Sequence, residues 1–276
     1  MRAPNREAET RFLHLRHLIG LLPVLLLCSS ILPAAGQEVI APDRPGLGRS
    51  DPERGRSLAS WAADMAELLN ARRVPRFRVL AVSGGGPYAL ALAWALPDRV
   101  ERVALLSSPG SFDIPGAMDG MARAHRMAWL MARWSPRMLA WLLDRQAAAL
   151  DQDPARFEQA IIDSMHGADR EALTAMGVEE RRRFISAPLV EALTNGTKGA
   201  VEDMRALRAP WGFGVQSIDV PVHLWHGEDD DATPSQMGGW LAAMIPGAQA
   251  RFLPGEGHTS TILRYADEAF DVLLAD

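Results

Sequence analysis

Three short segments of the chain carry side chains that together could perform nucleophilic catalysis. Ser83 lies in the segment 81–85, Asp230 is the middle one of three consecutive aspartates, and His258 ends the segment 254–258. A serine hydroxyl is a weak nucleophile at neutral pH, so it needs a general base such as the imidazole of His258. The imidazole in turn needs a carboxylate, here Asp230, which fixes its tautomer and stabilises the imidazolium. The three segments therefore predict a catalytic triad of Ser83, Asp230 and His258.

The sequence around Ser83 is typical of a nucleophile elbow, a tight turn between a strand and a helix. An apolar strand precedes the serine and an apolar helix follows it, which is the context that this turn requires. The strained turn leaves room only for small residues two positions before and two after the serine, and Ala81 and Gly85 fulfil this condition. Because the start of a helix directs backbone N–H groups at a developing oxyanion, we predict the N–H of Gly84 as an oxyanion-hole donor.

Each segment also has an explanation without catalysis. The glycine-rich turn could carry an incidental serine or cradle a phosphate group. His258 could be a solvated loop histidine, and Asp230 could belong to an acidic turn or cap a helix that starts near Pro234. The catalytic interpretation is favoured because all three segments follow predicted strands and occur in the order serine, acid, histidine.

The elements that must position these residues alternate between strands and helices. Apolar runs bounded by turn residues predict strands at 39–41, 77–82, 103–106, 220–225 and 250–253. Apolar residues at helical spacing predict helices from about 57, through 88–94, after 234 and from about 259. This alternation predicts an α/β fold, in which a mostly parallel sheet carries helices on both faces.

The alternation stops between about 115 and 213, where the sequence is helical and rich in Ala, Met, Trp and Arg. A helical block between two strands of one sheet predicts an inserted helical cap over the site. We therefore expect an uncertain N-terminal segment at 1–37, a core formed by 38–114 and 214–276, and the cap at 115–213. The Met and Trp side chains of the cap could line a pocket for the apolar part of a small-molecule substrate, although such residues more often form core.

The N-terminal segment has two interpretations. The run 23–27 predicts a buried strand of a parallel sheet. The arginines before it, the apolar stretch 18–35 and the small residues that follow also resemble a signal peptide. The stretch is marginal for a membrane span, and Pro23 and Pro33 weaken that interpretation further. We favour the strand and a cytoplasmic protein, with export or membrane anchoring as the alternative.

Composition excludes several function classes. A chain of 276 residues with 48% hydrophobic and 23% charged residues can bury one sizeable core. The formal net charge of −5 and the lack of a long Lys/Arg run give no attraction to nucleic acid.

Cys28 is the single cysteine, so the sequence has no disulfide framework and no multi-cysteine metal site. No metalloprotease, paired CxxC or P-loop motif occurs, and we expect no metal and no cofactor. The oligomeric state stays open.

Together, the segment 39–51, the Ser83 turn and the segments 226–230 and 255–258 resemble the α/β-hydrolase family. The resemblance extends from about residue 38 to the C-terminus. It implies a sheet of about eight strands with a helical cap after the sixth, and an acid at Asp230 with Asp113 as the alternative. Similar members that act as haloalkane dehalogenases or epoxide hydrolases use aspartate as the nucleophile, so the serine makes those reactions improbable here.

The chain departs from the family at its second oxyanion-hole donor. The family carries a His-Gly pair after the strand that precedes the segment equivalent to 39–41, and that loop donates the second N–H. In this sequence Cys28 and Ser29 occupy the positions of the His-Gly pair, and Ser29 is our candidate for the second oxyanion-hole donor. The connection to Val39 is also shorter than usual, and the first two family strands have no clear counterpart. Loss of one oxyanion donor typically lowers turnover about 10²–10³-fold.

These features predict a serine hydrolase that acts on carboxylic ester bonds through an acyl-enzyme intermediate. Hydrolysis of a carbon–carbon bond or a lactone, or acyl transfer to a nucleophile other than water, would need the same triad. A catalytically impaired binding protein with this fold is the third possibility, because of the missing His-Gly pair.

Overall fold

A computed structural model describes residues 29–33 and 39–275 of the chain. In this part of the chain one sheet has five strands, which follow each other in space as they do in sequence. They are β1 (Ser29–Pro33), β2 (Phe77–Val82), β3 (Val100–Leu106), β4 (Val222–Gly227) and β5 (Gln249–Leu253). Strands β2 to β5 pair in parallel, and β1 pairs antiparallel with β2 at one edge. The α/β fold with a mostly parallel sheet is confirmed.

Helices cover both faces of the sheet, because successive side chains of each buried strand point to opposite faces. On one face, Val79 and Leu105 join a buried cluster with helices α1 (Leu58–Ala71) and α2 (Gly86–Ala95). On the other face, Leu80 and Leu106 pack with the C-terminal helix. Strand segments buried on both faces need continuous apolar sequences, which is why 79–82 of β2 and 103–106 of β3 are apolar runs.

Between β3 and β4 the regular elements of the described chain are helices, and we use the name cap for them. Its helices are α3 (Arg123–Trp134), α4 (Pro136–Gln152), α5 (Pro154–Ser164), α6 (Gly167–Ala175), α7 (Val178–Phe184), α8 (Ser186–Ala192) and α9 (Lys198–Arg208). Pro136 and Pro154 lie in the first turns of α4 and α5, where the missing N–H of proline has no helical partner to lose. After β4 come α10 (Ser235–Met244) and, after β5, α11 (His258–Leu274).

The structure differs from the sequence predictions in two places. The segment 39–41 is not a strand, since Ile40 makes only an isolated β-bridge before the Pro/Gly-rich loop begins. The strand predicted at 220–225 begins at Val222, because Pro221 has no N–H to donate to the ladder, and it continues to Gly227.

Part of the N-terminal prediction lies outside the described residues. This applies to the strand at 23–27 and to Cys28. Ser29 is described as the first residue of β1, with its Cα opposite that of Ala81. None of the helices in the described part of the chain is long and apolar enough to cross a membrane.

Candidate active site

Ser83 directly follows β2 and forms, with Gly84 and Gly85, a short 3-10 turn that leads into α2. Its φ angle is +48°, in the left-handed region that side-chain-bearing residues rarely adopt. Such backbone strain costs about 1–3 kcal/mol, persists only when the surrounding structure enforces it, and is concentrated at functional sites. The sequence therefore places Ser83 on the tight turn that its neighbours predict.

The structure brings Ser83, His258 and Asp230 together, although 175 residues separate the serine from the histidine. His258 Nε2 lies 3.0 Å from Ser83 Oγ, and His258 Nδ1 lies 2.8 Å from Asp230 Oδ2. All three residues are buried, with exposed fractions of 0% for Ser83, 3% for His258 and 4% for Asp230. They follow β2, β5 and β4, and the carboxyl ends of parallel strands meet at one edge of a sheet.

Further hydrogen bonds fix the carboxylate of Asp230. Its Oδ1 accepts the backbone N–H groups of Ala232 and Thr233 at 2.9 and 2.7 Å. The Thr233 hydroxyl lies 2.9 Å from Asp230 Oδ2 and 3.0 Å from the carbonyl oxygen of Ser107. The sequence analysis did not predict that Thr233 holds the carboxylate of Asp230. The sequence signal concerned Asp230 alone, because an aspartate in a turn tends to accept backbone N–H groups a few residues further on.

The electrostatic environment supports His258 as a base and Asp230 as an anion. Burial by itself would lower the pKa of His258, but the charge of Asp230, their hydrogen bond, and the charges of Asp169 and Asp231 raise it above its ordinary value. Burial would likewise raise the pKa of Asp230, but the charge of His258 and the hydrogen bond to it lower that pKa below its ordinary value. The pair is thus arranged to stabilise an imidazolium next to a carboxylate.

A second histidine, His226 at the end of β4, lies behind the acid. Its Nε2 is 2.7 Å from the carbonyl oxygen of Thr233 and 3.6 Å from Asp230 Oδ2, and its side chain is fully buried. Burial lowers the pKa of His226, more than the nearby Asp230 charge raises it. His226 is therefore a neutral donor to the Thr233 carbonyl, which holds the loop that carries Asp230.

A buried charged network contacts the turn that contains Ser83. Its members are Arg44, Arg56, Tyr88 and Asp203. Arg44 Nη1 donates to the carbonyl oxygen of Gly84 at 3.2 Å. Asp203 of α9 pairs with Arg44 at 3.1 Å and with Arg56 at 2.7 Å, and accepts the Tyr88 hydroxyl at 2.8 Å. No sequence signal identified this network, because its members come from distant parts of the chain. It connects the turn after Ser83 with helix α9 of the cap.

The remaining predicted site residues have different outcomes. Gly84 is buried in the turn directly after Ser83, the place required of an oxyanion donor. Ser29 begins an antiparallel edge strand, and its part in an oxyanion hole stays a prediction. Among the described residues, the carboxylate that contacts His258 Nδ1 belongs to Asp230, and Asp113 lies in the loop after β3.

A cavity of about 310 Å³ lies beside His258, between the core and the cap. From the core it is lined by the loop that carries Asp231 and by the first turn of α11 with Thr259, and from the cap by α3 and the α5–α6 connection, including Met165. The cap residues Trp134, Trp141 and Met138 are exposed and do not line this cavity. Within the described residues, no group of three or more His, Cys, Asp or Glu side chains is arranged to hold a metal ion.

Comparisons with known proteins agree with this architecture. A family model described as the α/β hydrolase fold matches residues 19–265. The chain is 37% identical over 73 residues to the uncharacterized hydrolase YcgS of Bacillus subtilis (strain 168), over 26% of each protein. It is 28% identical over 236 residues to a 2-hydroxymuconate semialdehyde hydrolase of Pseudomonas putida, over 82% of this chain and 72% of the relative.

Solved structures share the fold at low sequence identity. A bromoperoxidase from Bacillus anthracis superimposes with a TM-score of 0.61 and 19% identity, over 86% of this chain and 80% of that one. The chain spans 26%, 32% and 62% of the length of three curated relatives that it matches.

Proposed function

The chain belongs to the α/β-hydrolase family, and on that premise we propose that it is a serine hydrolase that cleaves carboxylic ester bonds of small molecules. The observation that carries the proposal is the hydrogen-bonded chain from Ser83 Oγ through both ring nitrogens of His258 to Asp230. Its distances are those of a nucleophile, a general base and an orienting acid.

In the proposed reaction, Ser83 Oγ attacks the ester carbonyl carbon while His258 Nε2 accepts the hydroxyl proton. The carbonyl oxygen becomes an oxyanion, which the N–H of Gly84 stabilises at the start of the turn. The C–O bond then breaks, and protonated His258 returns its proton to the leaving alcohol. Water then attacks the acyl-Ser83 ester while His258 accepts its proton. The acyl C–Oγ bond breaks, which releases the carboxylic acid, and His258 returns the proton to Ser83 Oγ. Asp230 keeps one tautomer of His258 and stabilises its charged form.

A second candidate retains the same three residues and changes the scissile bond to a carbon–carbon bond or a lactone. The observation that favours it is the Pseudomonas putida relative, whose named substrate is a semialdehyde instead of an ester. Product analysis after incubation with matched ester, lactone and diketone substrates distinguishes the candidates. Preferential turnover of esters supports the first, and turnover confined to a diketone or a lactone supports the second. Transfer of the acyl group to an added alcohol would identify an acyltransferase.

Labelling with a fluorophosphonate probe tests the nucleophile directly. We expect one probe per chain, located on Ser83 by mass spectrometry and lost in Ser83→Ala. His258→Ala should slow labelling about 10²–10⁴-fold, the usual contribution of a general base. Ser111→Ala, in the loop after β3, is the matched control and should label at the wild-type rate. Absence of labelling in folded protein would reject serine hydrolysis for both candidates and favour the binding-protein alternative.

A further inference from the structure

Asp169, in the first turn of the cap helix α6, contacts the backbone of His258. Its Oδ2 accepts the N–H of His258 at 3.1 Å, and its Oδ1 accepts the N–H of Ser260 at 2.8 Å. These are N–H groups of the first turn of α11, which have no partner within their own helix. The residue before this helix is Gly257, which has no side chain that could accept them. A carboxylate 89 residues away in sequence therefore caps the helix that begins with the predicted base.

Gly257 makes room for this carboxylate. A Cβ atom built on Gly257 would lie 2.5 Å from Asp169 Oδ1 and 2.6 Å from its Cγ. The backbone of Gly257 has φ −96°, which any residue can adopt, so space and not conformation requires glycine here. The close approach is thus specific to the contact between α6 and the N-terminus of α11.

Apolar contacts hold the same two helices together. Leu173 of α6 belongs to the buried cluster that contains Ile262 and Ala266 of α11. Asp169 is itself only 9% exposed, although it belongs to the cap and the histidine belongs to the core. The position of the cap and the position of the His258 backbone are therefore linked by a buried charged hydrogen bond and by apolar packing.

We propose that Asp169 is a positioning residue, whose carboxylate holds the His258 backbone in place and adds a negative charge near its imidazole. Full reactivity of Ser83 then requires that cap helix α6 is packed against α11. This inference rests on the proposed function of Ser83 and His258. The titratable groups that face His258 from the elements around it are Asp230, Asp231, His226, His125 and Asp169. Burial lowers the pKa of His258, but the charge of Asp230, the hydrogen bond to it and the charges of Asp169 and Asp231 together raise that pKa above its ordinary value.

Asp169→Asn tests the charge separately from the shape. The amide retains one acceptor oxygen, but it removes the negative charge and presents an N–H₂ group to one of the two backbone donors. The labelling rate should rise with pH as His258 loses its proton, and we call this rise the acid limb. In Asp169→Asn we expect the acid limb to move to lower pH, because the imidazolium of His258 is less stabilised. We also expect the plateau rate to fall by up to about 10²-fold, the order expected when a reacting group is displaced by about 1 Å.

Asp153→Asn is the matched control. Asp153 also caps a cap helix, since its Oδ1 accepts the N–H of Arg156 at 3.0 Å, but it is exposed. This variant should keep both the plateau rate and the acid limb of the wild type. If Asp169→Asn lowers thermal stability but leaves the acid limb in place, the residue is only structural and the proposal is wrong.

Gly257→Ala tests the same contact from the opposite side. The new methyl group would displace the Asp169 carboxylate, so we expect a loss of plateau labelling of the same order as in Asp169→Ala. In the Asp169→Ala background the additional change should cost about twofold or less, because coupled residues have non-additive effects. Additive losses would contradict the proposal. Labelling of wild-type Ser83 separates the two hypotheses. If the wild-type protein is not labelled, the proposed function is wrong. If it is labelled and the Asp169 and Gly257 variants are labelled at the same rate, the role of Asp169 is wrong.

Discussion

Replacement of Asp203 by asparagine removes a carboxylate that faces two buried guanidinium groups. The Asp203 side chain is 0% exposed and lies 3.1 Å from Arg44 Nη2 and 2.7 Å from Arg56 Nη2. The side chains of both arginines are also buried, at 4% and 0% exposure. Asparagine keeps the size of the side chain and one acceptor oxygen, so Asp203→Asn changes the charge more than the packing.

The expected cost follows from the burial of the pairs. Removal of one partner from a buried ion pair destabilises a protein by about 3–5 kcal/mol, because the remaining charge is buried without its counter-ion. The amide of asparagine still accepts one hydrogen bond, so we expect the lower end, about 3 kcal/mol. One kcal/mol shifts Tm by about 2–4 °C in a chain of somewhat smaller size, so the predicted decrease in Tm is roughly 6–12 °C.

Thermal unfolding followed by circular dichroism measures this change. Glu202→Gln is the matched control, since Glu202 precedes Asp203 on α9 but pairs with the exposed Arg205 at 2.9 Å. An exposed pair contributes less than about 1 kcal/mol, so the control should change Tm by at most a few degrees. Equal changes in Tm for the two variants would refute the assignment of Asp203 as a buried counter-ion. Because Arg44 also binds the Gly84 carbonyl, Asp203→Asn should in addition slow labelling of Ser83.

Three further predictions concern the site and the contact between core and cap. The labelling rate should rise with pH through an acid limb above 6.5, the ordinary pKa of histidine, because the combined effects of Asp230, Asp169 and Asp231 on the pKa of His258 exceed the opposing effect of burial. A midpoint at or below that value would contradict the electrostatic interpretation. Asp230→Asn should lower the rate of ester turnover about 10⁴-fold with little change in fold, as measured by initial rates and circular dichroism, because it favours the wrong tautomer. Gly199→Ala should lower the free energy of unfolding in urea by about 1–3 kcal/mol, because its Cβ would lie 1.9 Å from the Gly46 carbonyl oxygen. Gly239→Ala, whose Cβ would meet no atom within 4 Å, should be neutral or stabilising by up to about 1 kcal/mol, and equal effects of the two glycine changes would show that the contact is unimportant.

The elements that carry the site were predictable because their signals are local. Residues 79–82 of strand β2 and most of helix α2 are apolar, and small residues flank Ser83 within the same few positions. The strand predicted at 39–41 was wrong, since a short apolar run does not say whether a neighbouring strand is available to pair with it. The cap was predicted as helical, but the arrangement of its helices had no signal in the sequence.

The sequence by itself determined the types of the reacting groups and the turns that carry them, because residue type, spacing and backbone preference act within a few residues. The sequence also predicted Asp230 as the partner of His258, but only the tertiary structure gives the physical reason. Asp230 is buried against the ring, whereas Asp229 is exposed and Asp231 is partly exposed and pairs with His166. The tertiary structure alone brought Asp169 to the N-terminus of α11 and Asp203 to Arg44. Such contacts join segments that are far apart along the chain, and they form only when the hydrophobic packing of sheet, cap and helices fixes the distances between them.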